Sequence, residues 1–389
     1  MATHDGGNAA ALIGLIGAAR WQERLGELRQ MAAGSGRVSR ALSHRHAIEV
    51  ALERLRRGQA AGAIERAVEA RAGEAVSLMA ALKRDGRKRM TALLAAGLHG
   101  DGTLMAVFHL LEVAARHRRR GFTVTFSGLA DGAPHDLTIQ RGASTAEVAC
   151  DIVSAEEGRD VHRAAWLRLM DAVDPDLQTW LAQHPGRYLL KLTLNQGLKR
   201  EDASLPAMHD RIRTLLSSRQ RTDQDAAAIL RLDPLMLAAA QADEAGLMPS
   251  LRREFGHEAH LAVMTGSGGV CVLAARAGRE DDVARAIHRR MAAIAPARLS
   301  GTRPGILAML VEDTDALEWR HLRDQLEIEG AARQFLTEPE ARHVVAVSCL
   351  SRRELFEAEP DGPESELRFR NPGHPAAKST ELAAAIVSS

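Results

Sequence analysis

Up to residue 121 the apolar residues recur three and four apart, the spacing of helices that bury one face. Beyond that point short runs alternate at period two, the spacing of strands. Residues 8–31 are Ala-rich with helical spacing, and GSGRVS interrupts them. Ser43 can cap the next helix, HAIEVALERLRRG, whose Ile48, Ala51, Leu52 and Leu55 share a face and which Gly58 ends. AIERAVEARAGEAVSLMAALKR continues the pattern. KRDGRKR at 83–89, broken by Asp85 and Gly86, predicts a turn, and TALLAAGL and TLMAVFHLLEVAARHRRR predict two more helices. Then FTVTF, HDLTI and TAEVAC alternate, joined by the turn-rich linkers GLADGAP and QRGAS. Residues 157–183 return to helix, and YLLKLTL predicts a buried strand. Residues 206–217 predict an amphipathic helix, and DQDAAAILRLDPLMLAAA a helix broken at Pro234. HLAVMT and GVCVLAA predict a hairpin closed by Gly266–Gly269. Helix REDDVARAIHRRMAAIA, strand GILAMLVED, helix DALEWRHLRDQLEIEG and strand ARHVVAVSCL follow, and the chain after Glu357 reads as irregular.

Strands alternating with helices after residue 122 predict one mixed α/β sheet with helices on both faces, preceded by a helical N-terminal region. The expected division is a helical, basic region over 1–100, a core over 101–220, an α/β part over 221–357 that can continue the core, and an irregular tail over 358–389.

Composition changes this picture little. With 389 residues and 46% hydrophobic residues the chain can bury a sizeable core, and with 3% aromatics Ala and Leu must fill it. Cys150, Cys271 and Cys349 lie far apart in apolar runs and form no CxxC pair. They read as reduced core thiols, which fits a cytoplasmic protein without structural zinc. The apolar stretch AALIGLIGAA is too short to span a bilayer, so no membrane partner is expected. Charge matters more. Residues 1–121 carry 20 Lys and Arg against 11 Asp and Glu, and the remaining 268 carry 31 against 39. The basic half should meet something acidic, either a nucleic acid or the acidic half of the chain itself.

The chemistry concentrates between Gly121 and Leu194. Asp136 begins the second predicted strand and Glu147 lies inside the third. Alternation puts Asp136 with Thr138 and Glu147 with Ala149, and a hairpin through QRGAS would turn both carboxylates to one cleft. Two hard oxygen ligands on adjacent strands are a minimal cradle for Mg²⁺ or Mn²⁺, which would activate water against a phosphodiester. Asp136 after a proline also suits a plain strand start, and Glu147 a solvated edge.

This segment resembles the PD-(D/E)XK nuclease superfamily, the restriction-endonuclease-like fold, over about residues 102–194. The resemblance implies a core of a helix, three antiparallel strands, a helix and a further strand, with a metal-binding Asp on the second strand and Glu-X-Lys on the third. Asp136 matches the first, with Pro134-His135 before it, and Glu147-Val148-Ala149 matches the second. Ala149 stands where the water-positioning lysine belongs. Lys191 in YLLKLTL is the candidate replacement, with Arg159, His162 and Arg163 on the following helix as others. Glu112, on the helix before the first strand, matches an accessory metal ligand. The resemblance thus implies Mg²⁺ or Mn²⁺, a catalytic set of Asp136, Glu147 and Lys191, and metal-dependent hydrolysis of nucleic acid. Its alternative is a silent scaffold serving as a protein-interaction or regulatory module.

Two basic runs could meet phosphates without reading sequence: Arg118, Arg119 and Arg120, and Lys83, Arg84, Arg87, Lys88 and Arg89. The scarcity of aromatics argues against stacking on single strands. No GxSxG, HExxH, Walker A or dinucleotide fingerprint occurs in its required context, and the histidines form no recognisable metal site.

Overall fold

A computed structural model describes residues 7–33, 36–199, 204–218, 220–235, 244–256, 258–352, 356 and 366–387. The chain divides into two compact units. The first comprises Met1–Gln30, Ser43–Ala155 and Ala284–Ser389; the second comprises Met31–Leu42 and Glu156–Val283.

The elements before the second unit's main segment are α1 (Gly7–Ile16), α2 (Ala18–Ala32), α3 (Gly36–Arg45), α4 (Ala47–Arg56), α5 (Ala63–Ala81), α6 (Arg84–Ala96), α7 (Met105–Arg119), β1 (Thr123–Thr125), the short α8 (Ser127–Ala130), β2 (Leu137–Arg141) and β3 (Ser144–Ser154). The expected helix over 8–31 is broken at Gly17, whose φ of +99° a residue with a side chain adopts only with strain. The predicted face of α4, Ile48, Ala51, Leu52 and Leu55, is buried, and α5 turns Val68, Ala72, Ala75 and Met79 inward. α7 is buried without a break from Val107 to His117, as suits a helix enclosed on all sides. The run 83–89 is no turn: Lys83 precedes α6, which starts at Arg84.

The elements from Glu156 to Val283 are α9 (Arg163–Gln183), β4 (Gly186–Leu194), α10 (Ser204–Ser217), β5 (Thr222–Gln224), β6 (Ala228–Pro234), α11 (Glu244–Phe255), β7 (His260–Gly266) and β8 (Gly269–Ala277). They form a five-stranded sheet in the order β5-β6-β4-β8-β7, with β4 parallel to β8 and the other neighbours antiparallel. Trp166, Leu169, Val173, Leu177 and Leu181 of α9 cover one face with Leu190, Leu192 and Leu194 of β4. Leu251 of α11 meets Leu189, Val272 and Ala274 on the other. The hairpin at Gly266–Gly269 forms as expected. AILRLDP, expected as helix, is β6: Ala228, Leu230 and Leu232 point inward at period two. The rest of that predicted helix, residues 236–243, lies outside the described residues.

The chain then returns through α12 (Val283–Arg298), β9 (Gly305–Glu312), α13 (Ala316–Asp324), α14 (Glu327–Phe335), β10 (Val344–Ser351), β11 (Leu367–Arg370) and α15 (Ala383–Ile386). The first unit's sheet runs β1-β2-β3-β9-β10-β11. Its first three strands form an antiparallel meander, β3, β9 and β10 are parallel, and β11 returns antiparallel. β10 is buried throughout and β9 from Gly305 to Val311, the continuous apolar runs that central parallel strands require.

The molecule is therefore mixed α/β with a helical N-terminal region, but it has two mixed sheets where one was expected. YLLKLTL pairs in the second unit's sheet, and β9 takes the place beside β3. The boundary expected at residue 220 falls inside the second unit. Part of the expected irregular tail is ordered: β11 pairs with β10, and Leu382, Ala385 and Ile386 are buried. Among the described residues no helix is long and apolar enough to cross a membrane.

Candidate functional site

The β2–β3 register, with Thr138 opposite Glu147 and Leu137 opposite Val148, sets the site. Leu137, Ala146 and Val148 face the core that contains α7. By alternation Asp136 and Glu147 turn together to the opposite face, as the sequence predicted. Two side chains and a loop following β9's predecessor helix close over them. Arg298, at the end of α12, sets one guanidinium nitrogen 2.7 Å from both Asp136 carboxylate oxygens, and its Nε donates to Pro134 O at 2.8 Å. Asp136 also accepts the Cys150 amide at 2.7 Å, supplying that strand N–H with a partner just beyond the end of β2. Glu147, 2% exposed, accepts from the Ser300 amide at 2.8 Å and the Ser300 hydroxyl at 2.6 Å. His135 places Nδ1 3.7 Å from Glu147 and pairs its Nε2 with Thr138 Oγ1 at 3.0 Å; Thr138 in turn meets Ser127 Oγ at 2.6 Å. Burial pushes the Asp136 carboxyl above its ordinary range against the pull of Arg298 and the Cys150 amide.

The remaining predicted residues are not gathered here. Glu112 lies on α7, which covers the other face of the sheet. Its carboxylate is buried and taken by Arg71 at 2.6 Å, Arg116 at 2.8 Å and Arg119 at 3.2 Å. Lys191 belongs to β4 in the second unit, and Arg159, His162 and Arg163 also fall in that unit. Lys191 is exposed where a buried side chain was expected, and its ammonium lies 5.7 Å from the centre of the Phe255 ring. Among the described residues no three His, Cys, Asp or Glu side chains assemble into a metal cradle. Cys150, Cys271 and Cys349 are free, and burial pushes the Cys271 and Cys349 thiols up to about 12.

The two basic runs part company. At the C-terminal end of α7, Arg119 pairs with Glu112, Arg120 with Glu366, and Arg118 lies 5.3 Å from the centre of the Phe126 ring. In α6, Arg89 donates to the carbonyls of Leu129 and Ala130, and Arg87 to those of Leu82 and Ala80. Lys88 is 3.5 Å from Asp85. Lys83 and Arg84 have no hydrogen-bond or ion-pair partner among the described residues and are exposed.

A second ionic cluster gave no sequence signal. At the C-terminal end of β9, Asp313 holds a φ of +61° and binds Ser154 Oγ at 2.6 Å and Arg45 at 3.2 Å. Glu312 is half-buried beside Asp313, Arg352, Arg45 and Glu49, and this partial burial raises its carboxyl to about 7.

No protein-family model matches the chain, nor does any curated protein or solved structure.

Proposed function

We propose that the first unit is a restriction-endonuclease-like core whose acidic pair has become structural, so that the chain works as a silent nuclease-like scaffold. The order of a helix, three antiparallel strands, a helix and a strand supports the fold: α7, β1, β2, β3, α12 and β9 follow it, with the second unit's main segment inserted between β3 and α12. The observation that carries the silent reading is Arg298. Its guanidinium occupies both oxygens of Asp136, the ligand that a divalent ion would need first. Glu147 is already held by two donors of Ser300, and Ala149 offers no amine to position water. Seating Mg²⁺ or Mn²⁺ would require displacing a charge-assisted pair and two hydrogen bonds, then orienting water with no group to do it. The residues present do not fit a metal.

Calorimetry with Mn²⁺ tests this, comparing the wild type with the near-isosteric Glu147→Gln in the presence of short duplex DNA. The expected result is no heat that depends on Glu147 and no duplex cleavage. Saturable Mn²⁺ binding lost in Glu147→Gln would restore the enzyme reading, with Asp136 and Glu147 as ligands.

A further inference from the structure

We propose that the concavity between α2 and α6 docks the phosphate backbone of a nucleic acid. It is a shallow, open depression of about 700 Å³ lined by Arg20, Lys83, Arg84, Arg87, Lys88 and Thr91 over an apolar floor that includes Ala92. Arg84, Arg87, Lys88 and Thr91 stand at i, i+3, i+4 and i+7 of α6 and so form one stripe, while Met90 and Leu94 face the core. Arg20 reaches the same space from the first turn of α2. Among the described residues no carboxylate lines it.

The two basic runs differ in what the fold does with them. Arg118–Arg120 ends a helix, where the macrodipole favours cations, and its members are engaged by Glu112, Glu366 and Phe126. In the Arg120–Glu366 and Arg45–Asp313 pairs the basic half of the chain meets its own acidic half. Lys83, Arg84, Arg87 and Lys88 crowd the start of a helix, where the dipole and their mutual repulsion both oppose them. Asp85, 75% exposed and 3.5 Å from Lys88, is the acid in that first turn. Arg87 is fixed by two carbonyls, whereas Arg20, Lys83 and Arg84 have no hydrogen-bond or ion-pair partner among the described residues. An arrangement unfavourable in the free protein becomes favourable once an anion with several charges lies across it. Among the described residues the concavity has no aromatic wall, so its ligand is read by its phosphates and not by its bases.

The ligand class rests on the nuclease-like reading above; the position rests on the side chains alone. The experiment is fluorescence anisotropy of labelled short duplex DNA and duplex RNA against the full chain over a range of salt. The double variant Lys83→Ala/Arg84→Ala and the single variant Arg20→Ala are compared with the wild type. Wild-type affinity should fall steeply with salt. The double variant should bind roughly tenfold or more weakly, with a log–log salt slope shallower by about 2, since each lost phosphate contact removes about 0.9. Its melting temperature without ligand should not fall, because exposed cations at a helix start are being removed. Duplex binding unchanged in the double variant, or wild-type binding to phosphatidylserine vesicles but to neither duplex, overturns the proposal. Mn²⁺-dependent cleavage with binding still lost in the double variant would overturn the silent-scaffold reading and leave this site standing.

Discussion

Glu312 ties folding to pH through a single proton. In the folded chain its carboxyl titrates at about 7, because burial at the end of β9 beside Asp313 outweighs the pull of Arg352 and Arg45; its ordinary value is 4.5. The folded state therefore keeps a proton that the unfolded chain releases. The stability linked to this group is whole below pH 4.5 and is lost as pH rises towards 7, by about 3 kcal/mol in all. Buried His117, held down at about 4, works in the opposite sense: its contribution is whole above 6.5 and is lost as pH falls. The two overlap between pH 4.5 and 6.5, so a variant must separate them. Urea unfolding of Glu312→Gln should show stability gained over the wild type at pH 8 and little difference at pH 4.5. An equal difference at both pH values would remove Glu312 as the cause. None of this was legible in the sequence, where Glu312-Asp313 is an ordinary strand end. Asp136 and Glu147 were legible because alternation within a hairpin fixes which side chains share a face. Arg298 was not, since it stands 162 positions from Asp136 and only the completed sheet brings it there.

The elements read from sequence fail where local composition masks the period. Alanines around β6 give it a helical look, although Ala228, Leu230 and Leu232 already alternate with Ile229, Arg231 and Asp233. In 83–89 the charges and Gly86 suggest a turn, yet Gly86 is there for close packing. It is buried in α6, and an added Cβ would lie 2.9 Å from the Leu129 carbonyl and 3.0 Å from Leu82 Cδ2. A glycine in a helix interior ordinarily costs about 1 kcal/mol relative to alanine. Here Gly86→Ala should destabilise instead, by roughly 1–2 kcal/mol, because α6 must withdraw from α8 and loosen the Arg89 bonds to Leu129 and Ala130. Thermal unfolding decides the sign, and a higher melting temperature would show that the contact yields without cost. The same withdrawal would shift the first turn of α6, which carries Lys83 and Arg84 to their places.

On the scale of the whole molecule, the sequence was read along contiguous residues, whereas the six-stranded sheet is built from separated ones. α7 to β3 form the helix and three antiparallel strands that the period predicts. The next helix and strand belong to the second unit, while α12 and β9 continue the first unit after that insertion. No local pattern marks an insertion, because each part carries its own sound periodicity. Its ends, however, are joined by structure. The Asp282 amide donates to the Gly158 carbonyl at 2.8 Å, so the main segment of the second unit leaves and returns at one place. Chains tolerate insertion and excision where the ends meet in this way. The other strip of the second unit, Met31–Leu42, contributes α3, which has no buried side chain and so exposes little apolar surface if its partners are removed. Replacing residues 159–281 with a short Gly/Ser linker should therefore leave a chain that unfolds in urea in one cooperative transition and still binds duplex through Lys83 and Arg84. A broad, non-cooperative transition would mean that the six-stranded sheet depends on the inserted segment, and that the two units fold as one.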